Sequence, residues 1–162
     1  PWHHDQPYYP INGRQVCSIW MPLDTVSSET CVQFVRGSHD WGRWFVPRKF
    51  ATESNYRLTD PGMVPTNEGL VFEDVPAVTE EDDILTWDLE PGDVIVFHML
   101  ALHCAGGNTS LSSSRRVLAT RWCGDDARFT RRDWDISPTV TGGLKPGDPI
   151  GCDLFPIVWP RG

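Results

Sequence analysis

Apolar positions along the chain come in short alternating or continuous runs, separated by turn residues, and few stretches are long enough for a helix. Val16-Cys17-Ser18-Ile19-Trp20-Met21-Pro22-Leu23 reads as a strand, and so does Cys31-Val32-Gln33-Phe34-Val35, followed by a turn at Arg36-Gly37-Ser38-His39-Asp40. Ile84-Leu85-Thr86-Trp87-Asp88-Leu89 alternates, Glu90-Pro91-Gly92-Asp93 is a tight turn, and Val94-Ile95-Val96-Phe97-His98 is a buried strand. Arg116-Val117-Leu118-Ala119-Thr120-Arg121-Trp122 predicts one more strand. Residues 51–80 carry no strong period, with a breaker at Asp60-Pro61-Gly62. Glu80-Glu81-Asp82-Asp83 reads as a solvated acidic loop. Short strands at turn-separated intervals predict a mainly β fold of the sandwich, barrel or jelly-roll kind.

Fourteen glycines, fourteen prolines and eight tryptophans among 162 residues agree with a turn-rich β domain. This length suits one core, so a single domain is expected over 1–162, with an irregular loop insertion at 51–83 and a surface-wrapping tail at 124–162. The net charge of −8, with no basic cluster beyond adjacent pairs such as Arg115-Arg116 and Arg131-Arg132, argues against nucleic acid as a partner. No apolar run reaches the roughly 20 residues of a membrane span. Five cysteines, odd in number and without a C-x-x-C pair, read as reduced thiols, and a cytoplasmic location is expected.

The chemistry starts at Pro1-Trp2-His3-His4-Asp5. In a strand, residues i and i+2 share a face, so His3 and Asp5 can reach one ion as a two-point clamp. A distant histidine would complete a two-histidine, one-carboxylate set that leaves positions open for other molecules, as in non-haem iron(II) oxygenases. Three histidines follow. His39 lies in a turn and reads as a surface residue; His98 ends an apolar strand and reads as a core histidine; His103 opens the glycine-rich stretch His103-Cys104-Ala105-Gly106-Gly107-Asn108. A ligand at a strand end beside small residues leaves room at the metal, which favours His103 and keeps His98 as the fallback. Arg115 and Arg116 follow at the entry to the next strand, where an arginine can hold a carboxylate through two parallel hydrogen bonds. On spacing alone a surface ion pair explains them as well.

Taken together, Trp2 to Pro10, Ser18-Ile19-Trp20-Met21-Pro22-Leu23-Asp24, Gly37-Ser38-His39, Glu90 to His98 and the segment from His103 to Arg115 resemble the phytanoyl-CoA dioxygenase family of iron(II)- and 2-oxoglutarate-dependent oxygenases. The resemblance implies a double-stranded β-helix, the cupin-type jelly roll. It implies His3, Asp5 and His103 as iron ligands and Arg115 as the anchor for the distal carboxylate of 2-oxoglutarate. The loop before Arg115 is one residue longer than in some members, which keeps Arg116 as the alternative anchor. Trp20 matches a position near the co-substrate, and a core tryptophan is an equal reading. A serine that some members carry two residues after the distal histidine is Ala105 here.

The implied reaction hydroxylates a small organic substrate with O2 and releases succinate and CO2. Related halogenases replace the carboxylate ligand with a small residue, so Asp5 favours hydroxylation. Family members extend well upstream of the His-x-Asp motif, so the chain is expected to be a piece of a longer protein that lacks the N-terminal part of the fold. The competing readings are a non-catalytic metal-binding jelly roll, a truncated inactive oxygenase, and a zinc hydrolase built on the same triad.

Overall fold

A computed structural model describes residues 1–57, 66–67, 69–108, 110, 112 and 114–159. Their strands are β1 (Ile11–Asn12), β2 (Val16–Pro22), β3 (Val32–Val35), β4 (Trp44–Phe45), β5 (Thr66–Asn67), β6 (Leu70–Glu73), β7 (Ile84–Leu85), β8 (Ile95–His98), β9 (His103–Ala105), β10 (Val117–Cys123) and β11 (Arg128–Phe129). Two single-turn 3-10 helices, Gln6–Tyr8 and Ser38–Asp40, are the helical segments among the described residues. None is long and apolar enough to cross a membrane.

Two antiparallel three-stranded sheets carry the core, in the orders β10-β2-β8 and β7-β3-β9. In β2 the alternation works as the sequence predicts: Val16, Ser18 and Pro22 are buried, and Cys17, Ile19 and Met21 are partly exposed on the other face. Ser18 lies opposite Arg121 of β10 and Phe97 of β8, and Trp20 opposite Ala119 and Ile95, so these side chains share the inner face. The second sheet answers with Val32 and Phe34, and the Phe34 and Phe97 rings meet edge-to-face with centroids 4.8 Å apart. Val26, Cys31, Leu89 and Ala101 close the cluster, with Trp20, Leu85 and Ile95 packed on it. The mainly β, double-stranded β-helix expectation holds.

The strand expectations hold for β2, β3, β8 and β10, but β8 is not the buried strand expected, because Val94 and Val96 turn outward and are 46% and 59% exposed. The alternating run 84–89 forms a strand only over Ile84–Leu85 and pairs again at a single bridge between Leu89 and Val26. Inside the segment predicted to be irregular, Leu70–Glu73 forms β6, which pairs in parallel with β4 and antiparallel with β5. Phe72 of β6 is its buried residue and packs on Trp44 and Trp134. Leu70 lies on the same face and packs on that cluster, so only two inward side chains over four residues mark the strand, too short a run to set a clear period. The breaker at 60–62 lies outside the described residues. Beyond residue 124, β11 pairs with β1, and Phe129, Thr130 and Trp134 are buried.

Two turns place elements near the site. Gly13 sits at φ +143, and a Cβ there would stand 2.9 Å from Ala127 Cα, so the β1–β2 turn needs glycine to lie against 126–127. Gly37, at φ +72, opens the Ser38–Asp40 turn, whose buried Ser38 hydroxyl donates to Val35 O at 2.7 Å and accepts the Leu102 N–H at 2.7 Å. The Gly-Ser-His motif thereby ties β3 to the residue that precedes His103.

Replacing Phe34 with alanine empties the contact between the two sheets and is expected to cost about 3–5 kcal/mol of unfolding free energy. Leu118→Ala, at a residue 50% exposed on the outer face, is expected to cost less than about 1 kcal/mol. Equilibrium denaturation of the two variants measures both, and equal losses would contradict this assignment of faces.

Candidate metal centre

The site forms where the start of the chain runs alongside residues 99–103. His3 N–H donates to His103 O at 2.9 Å and His103 N–H returns a bond to His3 O at 3.0 Å, an antiparallel bridge that sets the two side chains next to each other. Their ring centroids are 4.2 Å apart. Two residues on, the amides of Asp5 and Gln6 both donate to Met99 O, at 2.9 and 3.0 Å. Asp5 thus stands at the start of the Gln6–Tyr8 turn rather than in a strand, unlike the single-strand clamp expected from the spacing. Backbone pairing, not pleat alternation alone, brings His3 and Asp5 together.

One ligand atom from each of His3, Asp5 and His103 lies within 4.8 Å of the other two. Asp5 Oδ1 is 3.7 Å from His3 Nε2 and 3.7 Å from His103 Nε2. His3 Nδ1 is 3.0 Å from Pro1 O and His103 Nδ1 is 2.8 Å from Ala101 O. A carbonyl can only accept, so each Nδ1 carries the proton and each Nε2 turns a lone pair toward Asp5 Oδ1. Burial pushes the His3 imidazole down to about 3, helped by the neighbouring His103, and burial likewise lowers His103. Both rings are therefore neutral and ready to ligate at neutral pH. Burial would raise the Asp5 carboxyl, but His103, Arg121, the Ser18 hydroxyl and His3 outweigh it and hold the group below its usual range. Two neutral imidazoles and one carboxylate fit a divalent iron, cobalt, manganese or zinc ion.

The triad predicted from sequence is the group the structure brings together. His98, the fallback, belongs to the outer face of its sheet, where Nε2 is 2.9 Å from Arg14 O and Nδ1 accepts the Leu100 N–H at 3.0 Å. His39 is exposed beside Asp40. His4 is buried against Phe45 with ring centroids 4.5 Å apart, and burial pushes it to about 3. Gln6 is fully buried and its amide donates to Ile11 O and Gly13 O, so it packs rather than facing a ligand.

Arg115 and Arg116 part company. The Arg116 carbonyl accepts the N–H of Leu23, both residues are exposed, and the Arg116 guanidinium grips Asp24 with Nη2–Oδ1 at 2.7 Å and Nε–Oδ2 at 3.1 Å. Arg115, one residue earlier and half-buried, donates from Nη1 to Thr30 O beside the core cluster. Trp20 lies half-buried on the inner face against that cluster.

Three contributors were not anticipated from sequence. Ser18 Oγ donates to Asp5 Oδ2 at 2.5 Å, and Arg121 Nε forms an ion pair with the same oxygen at 3.0 Å. Ser18 and Arg121 face each other across β2 and β10, and the clue was a polar residue at an inward position of each apolar strand. Phe50 is the third, 60% exposed yet edge-on to His3 with centroids 4.8 Å apart. Its loop is held by the Tyr8 hydroxyl, which donates to Arg48 O at 2.6 Å and accepts the Arg48 N–H at 2.8 Å.

A buried two-histidine, one-carboxylate centre at the mouth of a double-stranded β-helix defines a class of metal-dependent jelly-roll enzymes. Within it, the sequence model of the phytanoyl-CoA dioxygenase family matches residues 1–117, and the chain belongs to that family. Iron(II) and 2-oxoglutarate are the cofactors that go with it. Among solved structures, the non-haem α-ketoglutarate-dependent epimerase SnoN of nogalamycin biosynthesis is similar, with 23% identity, a TM-score of 0.61, and 96% of this chain and 55% of that one covered. The related carbocyclase SnoK matches with 24% identity, a TM-score of 0.58, and 96% and 54% covered. SnoN has also been solved with Fe3+, α-ketoglutarate and a nogalamycin ligand, a structure that matches with a TM-score of 0.60. This chain therefore spans a little over half the length of the structures it resembles. No curated protein matches it by sequence.

Anaerobic loading with iron(II) is expected to bind one ion per chain. His103→Ala or Asp5→Ala is expected to weaken binding on the order of a hundredfold or more, whereas His98→Gln leaves it unchanged. Titration with metal analysis decides, and loss of binding in His98→Gln would contradict the ligand set.

Proposed function

We propose that the chain is the metal-bearing part of an iron(II)- and 2-oxoglutarate-dependent dioxygenase that hydroxylates a small organic substrate. The observation that carries this reading is the convergence of His3, Asp5 and His103 with both imidazole Nδ1 protons tied to backbone carbonyls. When bound, the iron and its co-substrate supply O2 activation coupled to release of succinate and CO2. The side chains supply position and charge. His3 and His103 present Nε2, and Asp5 presents Oδ1, from largely buried side chains. Arg115, on the inward side of the segment entering β10, receives the distal carboxylate of 2-oxoglutarate through its fork of donors. Arg116 is held outside by Asp24. Trp20 borders the co-substrate from the floor of the same face.

Asp5 fills the position a halide would need, which favours hydroxylation over halogenation. Phe50 and Tyr8 offer an apolar wall next to His3, in keeping with a substrate that presents carbon rather than phosphate to the metal. A second reading comes from the neighbours themselves, one an epimerase and one a carbocyclase: removal of a substrate hydrogen without net oxygen insertion. Product mass separates the two, because hydroxylation adds an oxygen atom and epimerisation adds none. Five free thiols suit a cytoplasmic setting.

The test is anaerobic addition of 2-oxoglutarate to the iron(II)-loaded chain. A weak visible charge-transfer band is expected, and succinate on admission of O2; absence of both overturns the reading in favour of a non-catalytic metal-binding domain. Arg115→Ala is expected to weaken 2-oxoglutarate binding about thirtyfold, equivalent to ~2 kcal/mol for a lost charged hydrogen-bond pair. Arg116→Ala is expected to stay near wild type, and the reverse pattern would move the anchor to Arg116.

A further inference from the structure

We propose that Arg121 is a positioning residue for Asp5: it fixes which carboxylate oxygen meets the metal and raises the site's attraction for a dianionic co-substrate. The inference rests on the reading of the centre as an iron(II) and 2-oxoglutarate site. Its basis is the unequal treatment of the two Asp5 oxygens. Oδ2 accepts from Ser18 Oγ at 2.5 Å and pairs with Arg121 Nε at 3.0 Å. Oδ1 lies 3.7 Å from the Nε2 atoms of His3 and His103. With Oδ2 occupied from the strand side, Oδ1 alone is turned to the position the two imidazoles face.

Arg121 is itself held from two sides. Its backbone is opposite Ser18 in the β2–β10 ladder, so both groups reach Asp5 from one cross-strand pair. Its guanidinium lies 5.4 Å over the ring of Tyr9, which ends the short turn that Asp5 begins. A long, flexible side chain is thus fixed between the ligand and a residue of the ligand's own segment.

The charge has a consequence that a purely structural arginine would not have. Iron(II) with Asp5 carries one net positive charge, and Arg121 raises this to two, opposite to the two negative charges of 2-oxoglutarate. Removing Arg121 takes a like charge away from the metal, so metal affinity is not expected to fall. Attraction for the dianion does fall, and the freed carboxylate can turn. An arginine that only supported the fold would weaken metal and co-substrate together.

The experiment compares wild type, Arg121→Gln and Arg121→Lys by Mn(II) titration, by 2-oxoglutarate titration of the anaerobic iron(II) form through its visible band, and by thermal melting. Arg121→Gln is expected to bind Mn(II) at least as tightly as wild type, to bind 2-oxoglutarate at least tenfold more weakly, and to shift the band. Arg121→Lys, which keeps the charge with a different donor geometry, is expected to recover 2-oxoglutarate affinity to within threefold while the band stays shifted. A folded Arg121→Gln with wild-type band and affinity overturns the proposal, and so does parallel loss of Mn(II) and 2-oxoglutarate binding. If Arg121→Gln does not fold, Arg121→Lys decides alone, and an unshifted band overturns the proposal. Absence of the band in wild type is the separate result that overturns the oxygenase reading itself, and this inference with it.

Discussion

The two backbone hydrogen bonds between His3 and His103 join the start of the chain to the strand end a hundred residues later, and the rest of the site depends on them. They set the imidazoles side by side. Through the shared acceptor Met99 O, the same pairing carries Asp5 to the level of the two rings. Residues 99–103 are in turn fixed from below, because Met99 and Leu102 are fully buried and Leu102 N–H is taken by the Ser38 hydroxyl. The ligands therefore inherit their precision from backbone bonds and core packing rather than from one another, which is what a site must have before any ion arrives.

Burying a carboxylate, two imidazoles and a guanidinium together is costly unless each polar atom finds a neighbour. Here most do: the carbonyls of Pro1 and Ala101 take the Nδ1 protons, the Ser18 hydroxyl donates to Asp5 Oδ2, and Tyr9 covers the Arg121 guanidinium, whose Nε stands 3.0 Å from the same Asp5 oxygen as an ion pair without hydrogen-bond alignment. The groups left facing each other are Asp5 Oδ1 and two imidazole Nε2 atoms, all acceptors. Three converging lone-pair donors on largely buried side chains repel one another, and a cation removes that repulsion. The donor set therefore suits a cation better than a hydrogen-bond donor.

The grouping of His3, Asp5 and His103 was legible from sequence through the family resemblance, since the His-x-Asp spacing alone is weakly specific and His98 offered an alternative. The jelly roll was legible through the alternation in β2, β3, β8 and β10. What stayed hidden depends on pairing partners. Nothing local marks Ser18 or Arg121 as neighbours of Asp5, since that follows only from the register that sets them opposite each other. The strand at Leu70–Glu73 was missed because it is only four residues long and turns Leu70 and Phe72 toward a cluster completed by Trp134 from a distant part of the chain. The clamp was expected on a strand face, and it sits instead at a bridge followed by a turn, where spacing alone says little about direction.

Register also decides between the adjacent arginines. A shift of one residue exchanges the faces of a strand, so a slip of one residue at the entry to β10 would turn Arg116 inward and Arg115 out. Two features oppose that shift. The ladder runs without interruption from Val117↔Pro22 to Cys123↔Val16. Just beyond it, Asp24 accepts both the Arg116 backbone N–H at 2.7 Å and its guanidinium, which locks Arg116 to the outside. An exposed pair of this kind adds little to stability. Its value here is geometric: it holds Arg116 outside and leaves Arg115, Ala119 and Arg121 on the inner face.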